Sequence, residues 1–365
     1  MLVKELINRL ETIIPKGKAE GFDNVGLLCG NLEREVTGIL VCHDALESVV
    51  EQAIEKGLNF IVCFHPIVFS AIKSLTGKNY VEKAFIKAIE NKIAIYAIHT
   101  SLDNDYFGVN YKIADQLGLE NRRILLPKES SLLQLTFYVP VSYKEKVTDA
   151  LFNAGAGNVG FYDECSFSLE GKGTFRPKEG SNPFSGNLLE RKIEQEVMVS
   201  MILEDYKKGK VLRALIDTHP YEEVAYQFVR IENPNNYEGL GMVGTLKEAL
   251  SKNEFLSFIK EVFQIPVVRY SHFESDKIHK IGVLGGSGAS GIKAALASGC
   301  DAYLTGDLKY HDFFLSENKM LVCDIGHFES ERFVTEQLFD LLSENFRKFA
   351  ISKTSISTNP VNYFL

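Results

Sequence analysis

Val322-Cys-Asp-Ile-Gly-His-Phe-Glu-Ser-Glu331 holds an apolar run, a glycine stop and the start of a helix in one short stretch. The run ends at Gly326, and apolar residues then recur at helical spacing through Phe333, Leu338, Leu341 and Leu342. A strand that passes directly into a helix is the repeating unit of an α/β layer. His327 and Glu331 are four apart, so on that helix they sit one above the other on one face. A histidine and a carboxylate so placed can grip one cation.

The same unit recurs along the chain. Residues 37–42 read as a strand, Asp44 as a helix cap, and Leu46, Val49, Val50, Ala53 and Ile54 as the helix behind it. Residues 60–64 form an apolar run ending in His65-Pro66, and residues 93–98 one ending in His99-Thr-Ser-Leu-Asp103. Residues 280–284 meet Gly285-Gly-Ser-Gly288, and residues 301–305 meet Gly306-Asp-Leu-Lys-Tyr-His311. This predicts an α/β body with mainly parallel sheets. Between its halves the rhythm becomes β-α-β-β-α-β, with strands at 132–139, 162–180, 190–200 and 226–231 and helices at 143–154 and 206–218. That order fits a ferredoxin-like α+β unit. The predicted organisation is a two-part α/β body, 1–126 and 233–365, interrupted by an inserted domain at 127–232.

At 365 residues the chain exceeds one ordinary domain, and 45% hydrophobic with 24% charged residues is the balance of a soluble globular protein. A net charge of -8 argues against a nucleic-acid partner. No apolar run approaches the roughly 18 residues of a membrane span. The N-terminus reads as an amphipathic helix rather than a signal peptide. Six scattered cysteines without a C-x-x-C pair suggest reduced thiols and a cytoplasmic protein.

Three strands thus end in metal-capable groups: His65, His99 with Asp103, and His327 with Glu331. Sites in α/β sheets form beyond the carboxyl ends of strands, so all three groups can converge. Histidine and carboxylate donors suit Zn, Mn, Fe or Co, and the lack of thiolate argues against a closed structural zinc site. Taken singly, His65 before proline could be structural, His99 could bond backbone, Asp103 could form a turn, and His327 and Glu331 could be a surface pair. Recurrence at three strand ends favours a shared site. The loop Gly285, Gly286, Ser287, Gly288 is either a phosphate cradle or a tight turn. His311 is either a proton donor or neighbouring group, or a surface histidine. His272 and His279 read as surface residues, and His43 as part of a helix-cap neighbourhood.

With these residues goes a wider set: Asp23-Asn-Val-Gly-Leu27, Phe64-His-Pro66, Gly239-Leu-Gly-Met-Val-Gly244 and Gly326-His-Phe-Glu-Ser-Glu331. In this order, over nearly the whole chain, they resemble the dinuclear-metal family labelled GTP cyclohydrolase 1 type 2 homologues, also called Nif-three-like. Gly155-Ala-Gly-Asn-Val-Gly-Phe-Tyr-Asp163 and His219-Pro-Tyr-Glu-Glu-Val-Ala-Tyr226 resemble the PII/CutA-like insert of its longer bacterial members. The resemblance implies His65, Asp103, His327 and Glu331 as metal ligands, with His99 a ligand or its neighbour. It implies a metal-activated water opening the GTP ring at C8 or attacking a phosphoester, and a toroidal homohexamer. A nucleotide or phosphorylated small molecule would be the partner. The alternative is a non-catalytic metal-binding regulatory or protein-interaction protein. The chain departs from the pattern at Phe64, where the family usually has a first metal histidine. Phenylalanine cannot ligate, which leaves one of two metal positions weaker, filled by water, or served by His99.

Overall fold

In a computed structural model that describes residues 1–275 and 277–364, the chain forms two compact units. One is Met1–Leu126 with Glu238–Leu365, the other Pro127–Tyr237. The strands in chain order are β1 Gly26–Cys29, β2 Ile39–Asp44, β3 Phe60–His65, β4 Ala94–Ala97, β5 Glu120–Lys128, β6 Leu132–Pro140, β7 Phe167–Phe175 and β8 Lys192–Glu204. They continue with β9 Tyr226–Arg230, β10 Asn235–Leu250, β11 Arg269–Tyr270, β12 Ile278–Ser287, β13 Ala302–Gly306, β14 Leu321–Asp324 and β15 Ile351–Lys353.

The first unit has two sheets, ordered β1-β4-β3-β2-β15 and β11-β14-β13-β12-β10-β5. Strands β15, β2, β3 and β4 are parallel, as are β12, β13 and β14; β1, β10 and β11 pair antiparallel. The mainly parallel α/β class read from the sequence is therefore the class observed. Alternation along the strands fills a core on each face. Ile39, Val41, Phe60, Val62 and Phe64 share a core with Ile281, Val283, Leu304 and Cys323 of the other sheet. Leu40, Cys42, Ile61 and Cys63 face the helices Glu47–Glu55 and Tyr80–Glu90. Burial on both faces is why these strands read as unbroken apolar runs.

Two strands escape the apolar pattern. β5 begins Glu-Asn-Arg-Arg, and β15 is only three residues long. Gly239-Leu-Gly-Met-Val-Gly244 is glycine-rich like a loop but lies inside β10. There Gly244 lets two backbones approach, since a Cβ would fall 2.8 Å from the Glu120 carbonyl. The helical pattern after Gly326 is two helices, His327–Glu331 and Val334–Asn345.

The second unit runs β-α-β-β-α-β, with antiparallel sheet order β7-β8-β6-β9, a ferredoxin-like arrangement. Val147, Leu151, Val211 and Leu215 of its two helices bury against Leu135, Phe137, Val199 and Met201 of the sheet. Among the described residues, no helix is long and apolar enough to cross a membrane.

Candidate metal centre

The site lies in the first unit, where parallel strands end and side chains reach past the sheet edge. His43 and Asp44 close β2, His65 closes β3, and Asp44 stands opposite His65 in the register. His99 follows β4 and precedes the short helix Thr100–Asp103. Its backbone adopts φ 37°, costly for a residue with a Cβ, and is pinned by its amide donating to the Phe64 carbonyl at 2.8 Å.

Three imidazoles converge on one carboxylate oxygen. Nε2 of His43, His65 and His327 lie 3.1, 3.3 and 3.4 Å from Glu331 Oε2. Behind each ring, Nδ1 meets another carboxylate: Asp44 for His43 (3.1 Å) and His65 (2.9 Å), and Asp307 for His327 (2.6 Å). Asp23 does the same for His99 at 2.9 Å. An imidazole that donates from Nδ1 can present a lone pair at Nε2, the form that binds metal. Asp103 lines the same cavity as His65, His99, His327 and Glu331, about 490 Å³ in volume. Its Oδ1 is sealed from solvent and has no hydrogen-bond partner. Buried carboxylate oxygens are normally satisfied, so one left bare in a residue that shares its cavity with these histidines fits a place for a cation. The residues fit a divalent ion in number, type and support.

The charges fit as well. Burial opposes ionisation of Glu331, but the three imidazoles hold its carboxyl well below the usual range. Burial pushes His65 down, and its bonds to Asp44 and Glu331 overrule this and raise it to about 10. Glu331 raises His327 to about 9. Burial and then the charge of Glu331 push Asp103 well above the carboxylate range. Without a cation, the cluster therefore stores protons. Cation uptake at pH 7 is expected to release at least the two protons of His65 and His327. Because protonated histidine cannot ligate, apparent affinity should rise roughly tenfold per pH unit for each proton displaced, up to about pH 9. Calorimetry in buffers of different ionisation enthalpy measures this, and an affinity flat from pH 6 to 8 would contradict it.

The structure thus brings His65, His99, Asp103, His327 and Glu331 together. It does not bring His311, which stands exposed with its ring against Tyr310 and Phe314, at 5.2 and 6.2 Å between centroids. Gly285 and Ser287 line the cavity, but the amide of Gly285 donates to Asn110 Oδ1 (3.0 Å) and that of Gly286 to Ser330 Oγ (2.8 Å). Those two amides are already engaged and not free to cradle a phosphate. The glycines make room instead: Gly286 has φ 66°, and a Cβ there would collide with Glu331 Oε1. Gly286→Ala should cost about 1–2 kcal/mol in backbone conformation alone. It should also weaken metal affinity at least tenfold, read by thermal melting and metal titration.

Sequence reasoning missed four carboxylate and imidazole groups. Asp44 does not cap the following helix, whose cap position is Leu46 with no side-chain bond. Its carboxylate is taken by His43, His65 and the Thr358 hydroxyl. His43 is correspondingly a cluster member. The cue for both was available, a strand ending in histidine, as at His65. Asp23 and Asp307 come from loops with no spacing to betray them. Phe64 is fully buried, its ring stacked on that of His43 at 5.6 Å.

A model of the family Duf34/NIF3 (NGG1p interacting factor 3) matches residues 1–360. A Bacillus subtilis protein named GTP cyclohydrolase 1 type 2 homolog is 35% identical over 369 residues, covering 99% of this chain and 98% of that one. A Staphylococcus epidermidis protein of the same name is 34% identical over the full length of both. Among solved structures, a Bacillus cereus protein related to NIF3 superposes with a TM-score of 0.85 at 33% identity, covering 100% of this chain and 99% of that one.

Proposed function

The chain belongs to the Duf34/NIF3 family, and on that premise we propose that it is a divalent-metal-dependent hydrolase acting on a nucleotide or another phosphoester. The observation that carries this reading is the bare, buried Asp103 Oδ1 on the cavity where the Nε2 donors meet Glu331. His65, Asp103, His327 and Glu331 would hold the ion, drawn from Zn, Mn, Fe or Co. A divalent ion held there supplies Lewis acidity, polarising a substrate oxygen and bringing the pKa of water to about 7.

The chain's own residues supply the rest. Asp44 and Asp307 fix the rings of His65 and His327 through Nδ1. His99, anchored by Asp23, lines the cavity with Nε2 as either a further ligand or a site to take and return a proton. Phe22, Phe69 and Tyr80 stand exposed and line the same cavity. Exposed rings beside a catalytic cavity suit stacking on a planar base, which favours a nucleotide such as GTP, the substrate class in the relatives' name. Phe22→Ala and Phe69→Ala should each raise KM about tenfold, the order of one lost stacking contact, and spare kcat.

Metal-loaded protein incubated with GTP and a panel of phosphoesters tests the reading. Turnover should vanish in Asp103→Ala and Glu331→Ala. If no substrate turns over, or turnover survives loss of those groups, the hydrolase reading fails.

A second reading, a metal-binding regulatory or protein-interaction protein, draws on the second unit. There Phe161, Tyr162, Phe167 and Leu169 are 79%, 76%, 64% and 56% exposed, the last two on edge strand β7. Exposed apolar side chains on a sheet edge invite a partner. We assign them to self-association into a homohexamer, so light scattering should give about six times 40.9 kDa; a monomer would contradict it. The six free cysteines support a reducing compartment such as the cytoplasm.

A further inference from the structure

We propose that His43 is a metal ligand that takes the place of the imidazole missing at Phe64, so that the centre keeps the two-ion capacity implied by the family resemblance. This rests on the metal-centre reading above. In the β2–β3 register Cys42 pairs with Cys63 and Asp44 with His65, so His43 and Phe64 are neighbours across the two strands. Both continue the face that carries Ile39 and Val41 on one strand and Phe60 and Val62 on the other. Their rings lie nearly parallel, 18° apart. Phe64 offers that face only carbon, whereas His43 offers an imidazole.

The His43 ring is aimed and clamped. Its Nδ1 is taken by Asp44, Phe64 stacks on one side, and Phe328 packs edge-on at 4.9 Å. Its Nε2 is left facing Glu331 Oε2 at 3.1 Å, the shortest of the three imidazole contacts to that oxygen. Carboxylate support at Nδ1 is the arrangement shared by His65 and His327, so His43 is prepared like the ligands it stands among.

The donors also outnumber one ion's needs. His43, His65, His99 and His327 offer Nε2, and Asp103 and Glu331 offer carboxylates. A catalytic ion keeps a position open and takes about three protein donors. Three imidazoles sharing Glu331 Oε2, with His99 and Asp103 on the wall of the adjoining cavity, suit two ions with Glu331 in common. Access does not limit this, because His43, His65 and His327 also line a second cavity of about 480 Å³.

The test is ion stoichiometry, independent of turnover. Chelator-stripped protein is dialysed against Co²⁺ and its bound cobalt counted by mass spectrometry, with visible absorption reporting the ligand field. Wild type should hold two ions and His43→Phe one. The exchange variant H43F/F64H, which moves the imidazole one strand sideways on the same face, should regain two. Should H43F not fold, His43→Gln carries the same expectation of one ion. One ion in wild type, or two in the folded His43 variants, overturns the proposal and leaves the metal reading standing. No ion in wild type overturns both.

Discussion

Glu331→Gln should leave a protein that folds at 25 °C but binds divalent metal at least a hundredfold more weakly. Glu331 is 4% exposed, and its Oε2 is the point on which three imidazoles converge. Glutamine keeps the shape, yet its oxygen is a weaker donor and carries no charge to balance a buried cation. Removing one partner from a buried charge cluster costs about 3–5 kcal/mol, so the metal-free variant should melt lower as well. The sign follows from the carboxyl being held below its ordinary value. Its contribution is present above about pH 4.5, the unfolded value, and is lost as pH falls through the folded one. The gap in melting temperature between wild type and variant should therefore narrow in acid. Metal titration and melts across pH measure both effects.

Asp103→Asn should act in the opposite direction on stability. Burial and the charge of Glu331 raise this carboxyl in the folded metal-free protein. An acid whose folded pKa is raised binds its proton more tightly folded than unfolded. It therefore destabilises the fold increasingly as pH rises above about 4, until the folded value is reached. Asparagine removes that penalty, so the metal-free variant should melt higher than wild type, at roughly 2–4 °C per kcal/mol recovered, and by more at pH 8 than at pH 5. Metal affinity should nevertheless fall at least tenfold. A stability gain coupled to a binding loss marks a group kept for function rather than for folding.

The α/β class was legible because β2, β3, β4, β13 and β14 are buried on both faces and appear as apolar runs. β5 and β15 were not, since a charged opening and a three-residue length leave no local pattern, and their partners are distant in the chain. The metal-capable cluster was legible wherever a strand ran straight into histidine, as at His65 and His99, or where helical spacing joined two donors, as at His327 and Glu331. His311, well past the end of β13 at Gly306, lay outside that cue, and the stretch that carries it leaves its ring in solvent. The cue was overlooked at His43, where the adjacent aspartate resembled a helix cap. Phe64 alone suggests a weakened site. That an imidazole stands beside it on the next strand becomes visible only with the register of β2 against β3. The glycines at the end of β12 illustrate a different limit: close backbone approach to a ligand and to a buried glutamate call for the same residue.

The central claim is that the cluster of His65, Asp103, His327 and Glu331 is a divalent-metal centre. Anomalous scattering from crystals of the protein loaded with Mn²⁺ tests it most directly. The expected result is strong density within the cluster, against the Nε2 atoms and Asp103 Oδ1. A map with no peak there, or with ions only on the protein surface, would contradict it.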